Sequence, residues 1–504
     1  MSVLGDILDK GQRVAKHHPW PRAIVESGAW ESASFLAADG HCTLLGLWGE
    51  SDTVHMALGV PDPLEIVIVS LPCSDGTFPS VGCHHPPAIR LERTVADLFG
   101  LDPQGAVDRR PWLDHGRWGK RHPLRFPSPD AGAGGAYAFL PVEGESLHQI
   151  PVGPVHAGII EPGHFRFTAN GETVVRLEER LGYVHKGIEG LMAGAEIAHA
   201  AKLAGRTSGD STVAYAVAFS QAVEAALAVT VPPRAQWLRA MMIELERLAN
   251  HLGDIGAICN DASFAIMLAH CGILRERVLR AADAAFGHRL MRDCAVPGGV
   301  SVDLQGAGID AIRALIKEIR ARFPVLVDLY DRTTSLQDRT VATGRLNAAL
   351  ARQFGAGGFV GRASGRNFDA RMLPSPLPYG QLDFQVAART EGDVNARVWV
   401  RIDEVMQSLK LIEQILERLP AGATYAALPV LNEQREGMAI VEGFRGDILV
   451  WLRIDGNARI ARCHLRDPSW FQWPLLEAVI EGNIVADFPL CNKSFNCSYS
   501  GHDL

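Results

Sequence analysis

From about residue 177 onward, apolar side chains recur at three- and four-residue spacing through 187–205, 211–228, 234–256, 270–287, 306–328 and 395–418. That period predicts amphipathic helices, so the larger part of the chain is expected to be mainly helical. Other stretches carry short, apolar, partly β-branched runs. Cys42–Trp48 (CTLLGLW) and Val67–Leu71 (VIVSL) predict strands, which makes residues 1–127 a small α/β unit. Asn170-Gly171, between Phe165-Arg166-Phe167 and Glu172-Thr173-Val174-Val175, signals a hairpin. Strand character returns over 438–465 around the turn Asp455-Gly456-Asn457, and the apolar tail from Pro474 is expected to pack. Pro127–Ala136 (PSPDAGAGGA) holds almost no core-forming residue and reads as a connector. The expected organisation is a domain over 1–127, a linker over 128–148 and a domain over 149–504.

Composition narrows the class. With 504 residues, 47% hydrophobic and 21% charged, the chain is globular and long enough for several domains. The net charge is −8, and residues 1–150 carry −6 of it, with 12 Lys plus Arg against 18 Asp plus Glu. Such a balance argues against nucleic acid as a partner. The first twenty residues lack a secretory pattern. The longest apolar run, Ala214–Pro232, is interrupted by Gln221 and Glu224, short of the roughly 20 uninterrupted residues of a membrane span. Nine cysteines without a single CxxC fit a reducing cytosol better than a disulfide scaffold.

Four segments place polar groups where the pattern is otherwise apolar. They are 183–189 (YVHKGIE), 206–211 (RTSGDS), Asn260-Asp261 at the end of a long helix, and 464–469 (HLRDPS). Glu189 lies four residues after His185, so on a helix the two would share a face. Each segment also has an ordinary reading: Ser208, Asp210 or Ser211 as a helix cap, Asp261 as a terminal turn residue, His185 as a satisfied core histidine. The basic cluster Arg109, Arg110, Arg117, Lys120, Arg121 and Arg125 reads equally as a contact to an acidic partner or as a solvated loop.

The order of these segments carries a resemblance over nearly the whole chain. Residues 90–100 (RLERTVADLFG) resemble the signature of the small peripheral-arm subunit of respiratory complex I. GPVH (153–156), YVHKGIEGL (183–191), MIELERLANHLGDIGAICND (242–261), AVPGGVSVDL (295–304), LQDRTVATG (336–344), RTEGDVNARVWVRIDEVMQSLKLIEQ (389–414) and RDPSWFQWP (466–474) follow. Their order resembles that of complex I's large quinone-site subunit, and of the large subunit of energy-converting nickel-iron hydrogenases of the formate hydrogenlyase type, where the two subunits are likewise fused. The resemblance implies an α+β fold: an N-terminal α/β domain like the small arm subunit, then a mainly helical hydrogenase-large-subunit-like domain with peripheral strands.

Where the hydrogenases have RVCGICG and DPCxxC, this sequence has Arg206-Thr-Ser208-Gly-Asp210-Ser211-Thr and Asp467-Pro-Ser469-Trp-Phe-Gln472. Oxygen and amide groups are hard donors beside thiolates, so the expectation is no nickel and no resident cofactor, with an empty chamber lined by His156, Ser208, Ser211 and Ser469. Complex I uses that space for quinone, but Gly209 stands here at its tyrosine, Lys186 at an arginine and Met291 at a histidine. His156 matches the first histidine of its hairpin loop, and the second has no counterpart. His185, Glu189, Arg206 and Asp261 match. Lys186 and Arg206 would then lie near an iron-sulfur cluster in a small partner subunit.

Asp210, held by Arg206 or Lys186 or else raised in pKa by burial, is expected to form a proton relay or acceptor cavity with Glu189, Asp261 and His185. A buried ion-pair network that only positions helices is the competing reading. At the level of function, the resemblance implies an electron-transfer subunit of a complex I-like oxidoreductase. It would pass electrons from the partner's cluster to quinone or another acceptor, coupled to ion translocation. The alternative is a retired site kept as a structural coupler; a working nickel-iron hydrogenase is the least favoured. Membrane-arm subunits are further expected partners, and the chain is placed peripherally on the cytoplasmic side of the membrane. No nucleotide-binding signature is present, so any NAD(P)H or formate oxidation falls to another subunit. The tail beyond Pro489 is expected to stay unprocessed.

Overall fold

A computed structural model describes residues 3–62, 64–130, 136–156, 160–430 and 432–504. Residues 131–135 of the expected linker and 157–159 of the loop after His156 lie outside the described residues.

The N-terminal part is built on an antiparallel meander of β1 (Thr43–Gly49), β2 (Thr53–Pro61) and β3 (Leu64–Pro72). Arg22–Ile24 adds in parallel to β3, and Gln12–Arg13 completes five strands. The central residues of these strands are buried in runs rather than in alternation, the pattern of a sheet covered on both faces. Helices Ser27–Ala38 and Ile89–Phe99 contribute to one core. The opposite face meets the second sheet of the molecule.

That second sheet is formed by β4 (Arg435–Gly443), β5 (Gly446–Ile454) and β6 (Ile460–Arg466), all antiparallel. His17–His18 pairs in parallel with β4, with His17 opposite Glu436, so the first twenty residues complete a sheet whose other strands lie near the far end of the sequence. Leu45, Trp48, Ile66 and Ile68 pack against Met438, Ile440, Leu449 and Trp451 in one cluster. The Trp48 and Trp451 rings lie 5.6 Å apart. Arg22 pairs with Glu436, Arg453 bridges Glu436 and Glu50, and Arg110 crosses to Glu178. Part of the basic cluster is therefore spent on internal ion pairs.

The remainder is helical, with α1 (Thr212–Leu227), α2 (Pro233–Asp261), α3 (Ala265–Phe286), α4 (Gly306–Arg332) and α5 (Val394–Arg418). The Ala- and Val-rich α1 is buried all round, which fits a helix apolar on every face. Asn170-Gly171 turns a hairpin between His164–Asn170 and Thr173–Arg180. The helix expected over 187–205 is instead two, Ile188–Met192 and Ile197–Ala204. Gly194, at φ +76°, gives its N–H to the Ile460 carbonyl 2.7 Å away, so contact with β6 replaces the helical bond.

Polar side chains on α2 face α5 through a buried ionic layer. Glu404 accepts from Arg362 and His251 and pairs with Arg247, while Glu244 meets Arg371, Tyr379 and Ser408.

Candidate functional site

The site forms where four pieces of chain converge. These are the turn 206–211 leading into α1, the two-residue hairpin turn Phe444-Arg445 between β4 and β5, the segment Asp467–Ser469 opening helix Ser469–Ile480, and the tail 496–503. The hairpin turn depends on glycine. Gly446 sits at φ +136°, and a Cβ on Gly358, at φ +59°, would lie 1.9 Å from the Arg445 carbonyl oxygen.

Arg445 reaches into the middle of the group. Its Nη1 donates to Asp210 Oδ1 at 2.8 Å and to Ser211 Oγ at 3.3 Å, its Nη2 donates to Asp210 Oδ2 at 2.5 Å, and its Nε donates to the Asn496 carbonyl. Ser208 Oγ donates to Asp210 Oδ1 at 2.5 Å. Burial would raise the Asp210 carboxyl, but the Arg445 charge and these hydrogen bonds bring it down to about 2. The partner expected from the sequence was Arg206 or Lys186. Arg206 turns away to grip Asp293 at 2.5 and 2.7 Å, and Lys186 donates to the carbonyls of Arg206 and Thr207. Arg445 displaces them because the hairpin delivers a buried cation directly over the carboxylate.

The space between the two serine-bearing segments is occupied by the tail. Ser498 N donates to Ser469 Oγ at 2.8 Å, and Ser498 Oγ donates to Ser208 Oγ at 3.4 Å while accepting from Gly501 N at 2.8 Å. Asp467 caps Ser469 N and accepts from Tyr215 OH. Asp503 receives the Val184 N–H and faces His185 Nδ1 at 3.1 Å.

The residues expected to relay protons are parted. Gly187, at φ +67°, precedes the helix that begins at Ile188, so His185 lies outside it and shares no helical face with Glu189. Glu189 accepts from His464 Nδ1 and Leu465 N, each 2.9 Å away, and pairs with Arg462 at 2.8 Å. Against the effect of burial, these contacts bring its carboxyl down to about 2. Asp261, half-buried at the last residue of α2, is raised by burial. Among the described residues no hydrogen bond joins Asp210, Glu189 and Asp261. His156 Nε2 returns to its own loop at the Gly163 carbonyl, 2.7 Å away.

Two ionisable residues of the site, Arg445 and Glu246, are not marked as functional by the local sequence pattern. Glu246 on α2 accepts from the Val213 and Ala214 N–H groups at the start of α1, and burial pushes its carboxyl up to about 8, with Asp210 adding to the rise. Asn250 joins the two by donating to the carbonyl oxygens of Asp210 and Glu246. The only hint of Arg445 is a Gly-Phe-Arg-Gly turn between apolar strands. Glu246 has none, since it reads as one more polar position in a long helix.

Comparison with known families decides the lineage. Residues 40–132 match the family described as respiratory-chain NADH dehydrogenase, 30 Kd subunit, and residues 261–438 and 430–503 match its 49 Kd subunit. Formate hydrogenlyase subunit 5 of Escherichia coli (strain K12) is 32% identical over 451 residues, covering 87% of this chain and 79% of the relative. The chain belongs to this family of fused 30 and 49 kDa subunits. The carbon monoxide-induced hydrogenase of Rhodospirillum rubrum is 32% identical, over 70% of this chain and 98% of its own. A subunit of the NADH-quinone oxidoreductase from Syntrophobacter fumaroxidans is 31% identical, over 69% of this chain and 94% of its own. Membership in the 30/49 kDa family agrees with the α+β fold expected from the sequence, and it makes the chain a relative of oxidoreductase-complex subunits. No described helix is long and apolar enough to cross a membrane.

The resemblance of the two turn motifs to those of nickel-iron hydrogenases raises the question of a thiolate-bound nickel-iron centre. The residues here do not fit one. Ser208, Ser211 and Ser469 are buried hydroxyls engaged with Asp210, Arg445 and Ser498, and Gln472 is a neutral amide bonded to the carbonyls of Gly357 and Arg445. Cys497, which packs against Gln472, is buried with its thiol pushed well above its usual range, so it stays protonated.

Proposed function

We propose that this chain is a peripheral subunit of a complex I-like, energy-converting-hydrogenase-related membrane oxidoreductase, and that it acts there as a structural and conformational coupler. In this reading it stands on the cytoplasmic side, between a small partner subunit carrying an iron-sulfur cluster and the membrane-arm subunits. The observation that carries the reading is the Arg445–Asp210 pair, with Ser498 bridging Ser208 and Ser469. A chamber that held a redox group in an ancestor would now be filled by the chain's own side chains. Asp210 and Glu189, both ionised well below neutral pH, hold guanidinium groups and shuttle no proton.

One observation favours a second reading, electron transfer from the partner's cluster to quinone with coupled ion translocation. Asp261 is half-buried and raised in pKa, as suits a carboxyl that takes up a proton. Lys186 and Arg206 would then flank the cluster, and His156 and His185 would border the acceptor. The purified, intact complex separates the two. Cluster reoxidation by added quinone, followed by electron paramagnetic resonance and abolished by Asp261→Asn in a fully assembled complex, establishes electron transfer. An assembled complex whose neighbouring cluster is never reoxidised by quinone establishes the coupler. Elemental analysis is expected to find no nickel; a stoichiometric amount overturns both.

A further inference from the structure

Away from the serine-lined site, a cleft of about 1010 Å³ opens between the N-terminal sheet and the stretch 347–373. Its apolar walls come from both parts of the chain: Leu45, Val60, Leu64 and Ile66 on one side, Leu373 and Ile440 on the other. This is the size and character of a small-molecule site, which is largely apolar with a few oriented polar groups.

Arg366 supplies the polar group. It lines the cleft as a half-buried residue; its guanidinium stacks 4.5 Å from the Phe368 ring and donates Nη1 to the Ala356 carbonyl at 3.0 Å. Among the described residues it has no carboxylate within ion-pair distance. Its neighbours differ sharply. Arg362 pairs with Asp369, Glu404 and Glu442, Arg371 with Asp369 and Glu244, and Arg466 with Asp447. Asp447 and Glu442 attract Arg366 from beyond contact, yet burial still lowers its pKa from the usual guanidinium range. A partly desolvated cation with no carboxylate in contact is costly, and an anion entering the cleft reduces that cost. At the exposed rim Arg352 balances Asp39, the single acid among the lining residues, so Arg366 is the cation left for a ligand.

We propose that this cleft binds an anionic amphiphile, with an acyl chain along the apolar walls and a carboxylate or phosphate on Arg366. The full-length chain is titrated calorimetrically with palmitate, cetyl phosphate and the neutral cetyl alcohol, each below its micellar concentration. The expected result is saturable binding of one anionic amphiphile per chain, about tenfold tighter than the alcohol, an advantage that Arg366→Gln removes. Ala38→Trp, which fills the cleft from its rim, abolishes binding of all three and tests the site should Arg366→Gln fold poorly. Absence of saturable binding, equal affinity for acid and alcohol, or binding untouched by Ala38→Trp overturns the proposal. Mass spectrometry of a solvent extract of the purified protein distinguishes the natural source: a free fatty acid or an anionic phospholipid, each at one per chain.

Discussion

Arg445 grips both carboxylate oxygens of Asp210, at 2.8 and 2.5 Å, across 235 positions of sequence. Arg445 is buried and Asp210 half-buried, so removing the guanidinium strands a partly solvated carboxylate, and Arg445→Met is expected to cost about 1–3 kcal/mol of stability. The double variant Asp210→Asn/Arg445→Met should lose less than the two single changes added together. A denaturant-unfolding cycle on the full chain measures the coupling. Additive losses would show that the pair contributes nothing.

The acid side of the stability profile follows from the depressed carboxyls. Asp210 and Glu189 fall to about 2 from ordinary values of 3.8 and 4.5. Their contribution is fully present above the ordinary range and is lost as pH falls toward 2. Unfolding midpoints should therefore decline steeply over that interval, and less steeply in Glu189→Gln.

Glu246 acts in the opposite sense. Its carboxyl is raised to about 8 from 4.5, so its contribution is complete below 4.5 and is lost as pH rises through 8. Glu246→Gln should gain stability relative to the parent between those limits, with the gain growing toward the alkaline end. A difference independent of pH would mean that the carboxyl is not protonated in the folded chain.

Ser498 is the hinge of the tail's attachment. Ser498→Ala leaves Gly501 N without its acceptor and Ser208 without its bridge, an expected loss of about 1–3 kcal/mol. Deleting residues 497–504 also removes the Trp470–His502 stack, at 3.8 Å, and the Asp503 contact to His185. The truncated chain is expected to be insoluble or to fail to assemble.

The Trp48–Trp451 contact and the Arg22–Glu436–Arg453–Glu50 network bind the two parts of the chain. Expressed as separate pieces, 1–127 and 149–504 should co-purify from the same cell, and 1–127 alone should aggregate through its uncovered sheet face. A soluble, monomeric 1–127 would refute this.

Local pattern carried much of the architecture. The spacing over 211–228 anticipated Thr212–Leu227, and that over 395–418 matched Val394–Arg418 within a residue, because long apolar periods are written into adjacent residues. Asn170-Gly171 announced its hairpin for the same reason. The break at Gly194 was hidden, since it depends on a bond to Ile460. The stretch 334–393 offered no period, and its short helices and loops make a wall of the cleft.

At the site, the chain's own letters determined which chemistry was available: serines and an amide at the two turn motifs, a carboxylate at 210, and a lineage readable from collinear motifs. Whether Asp210 would be a raised acid or an ion-paired anion was decided only in three dimensions. That outcome depends on a guanidinium brought in by a hairpin 235 residues away and on a tail serine joining two distant turns. Ion pairing and burial are properties of distances across the fold, and neighbours in sequence do not encode them.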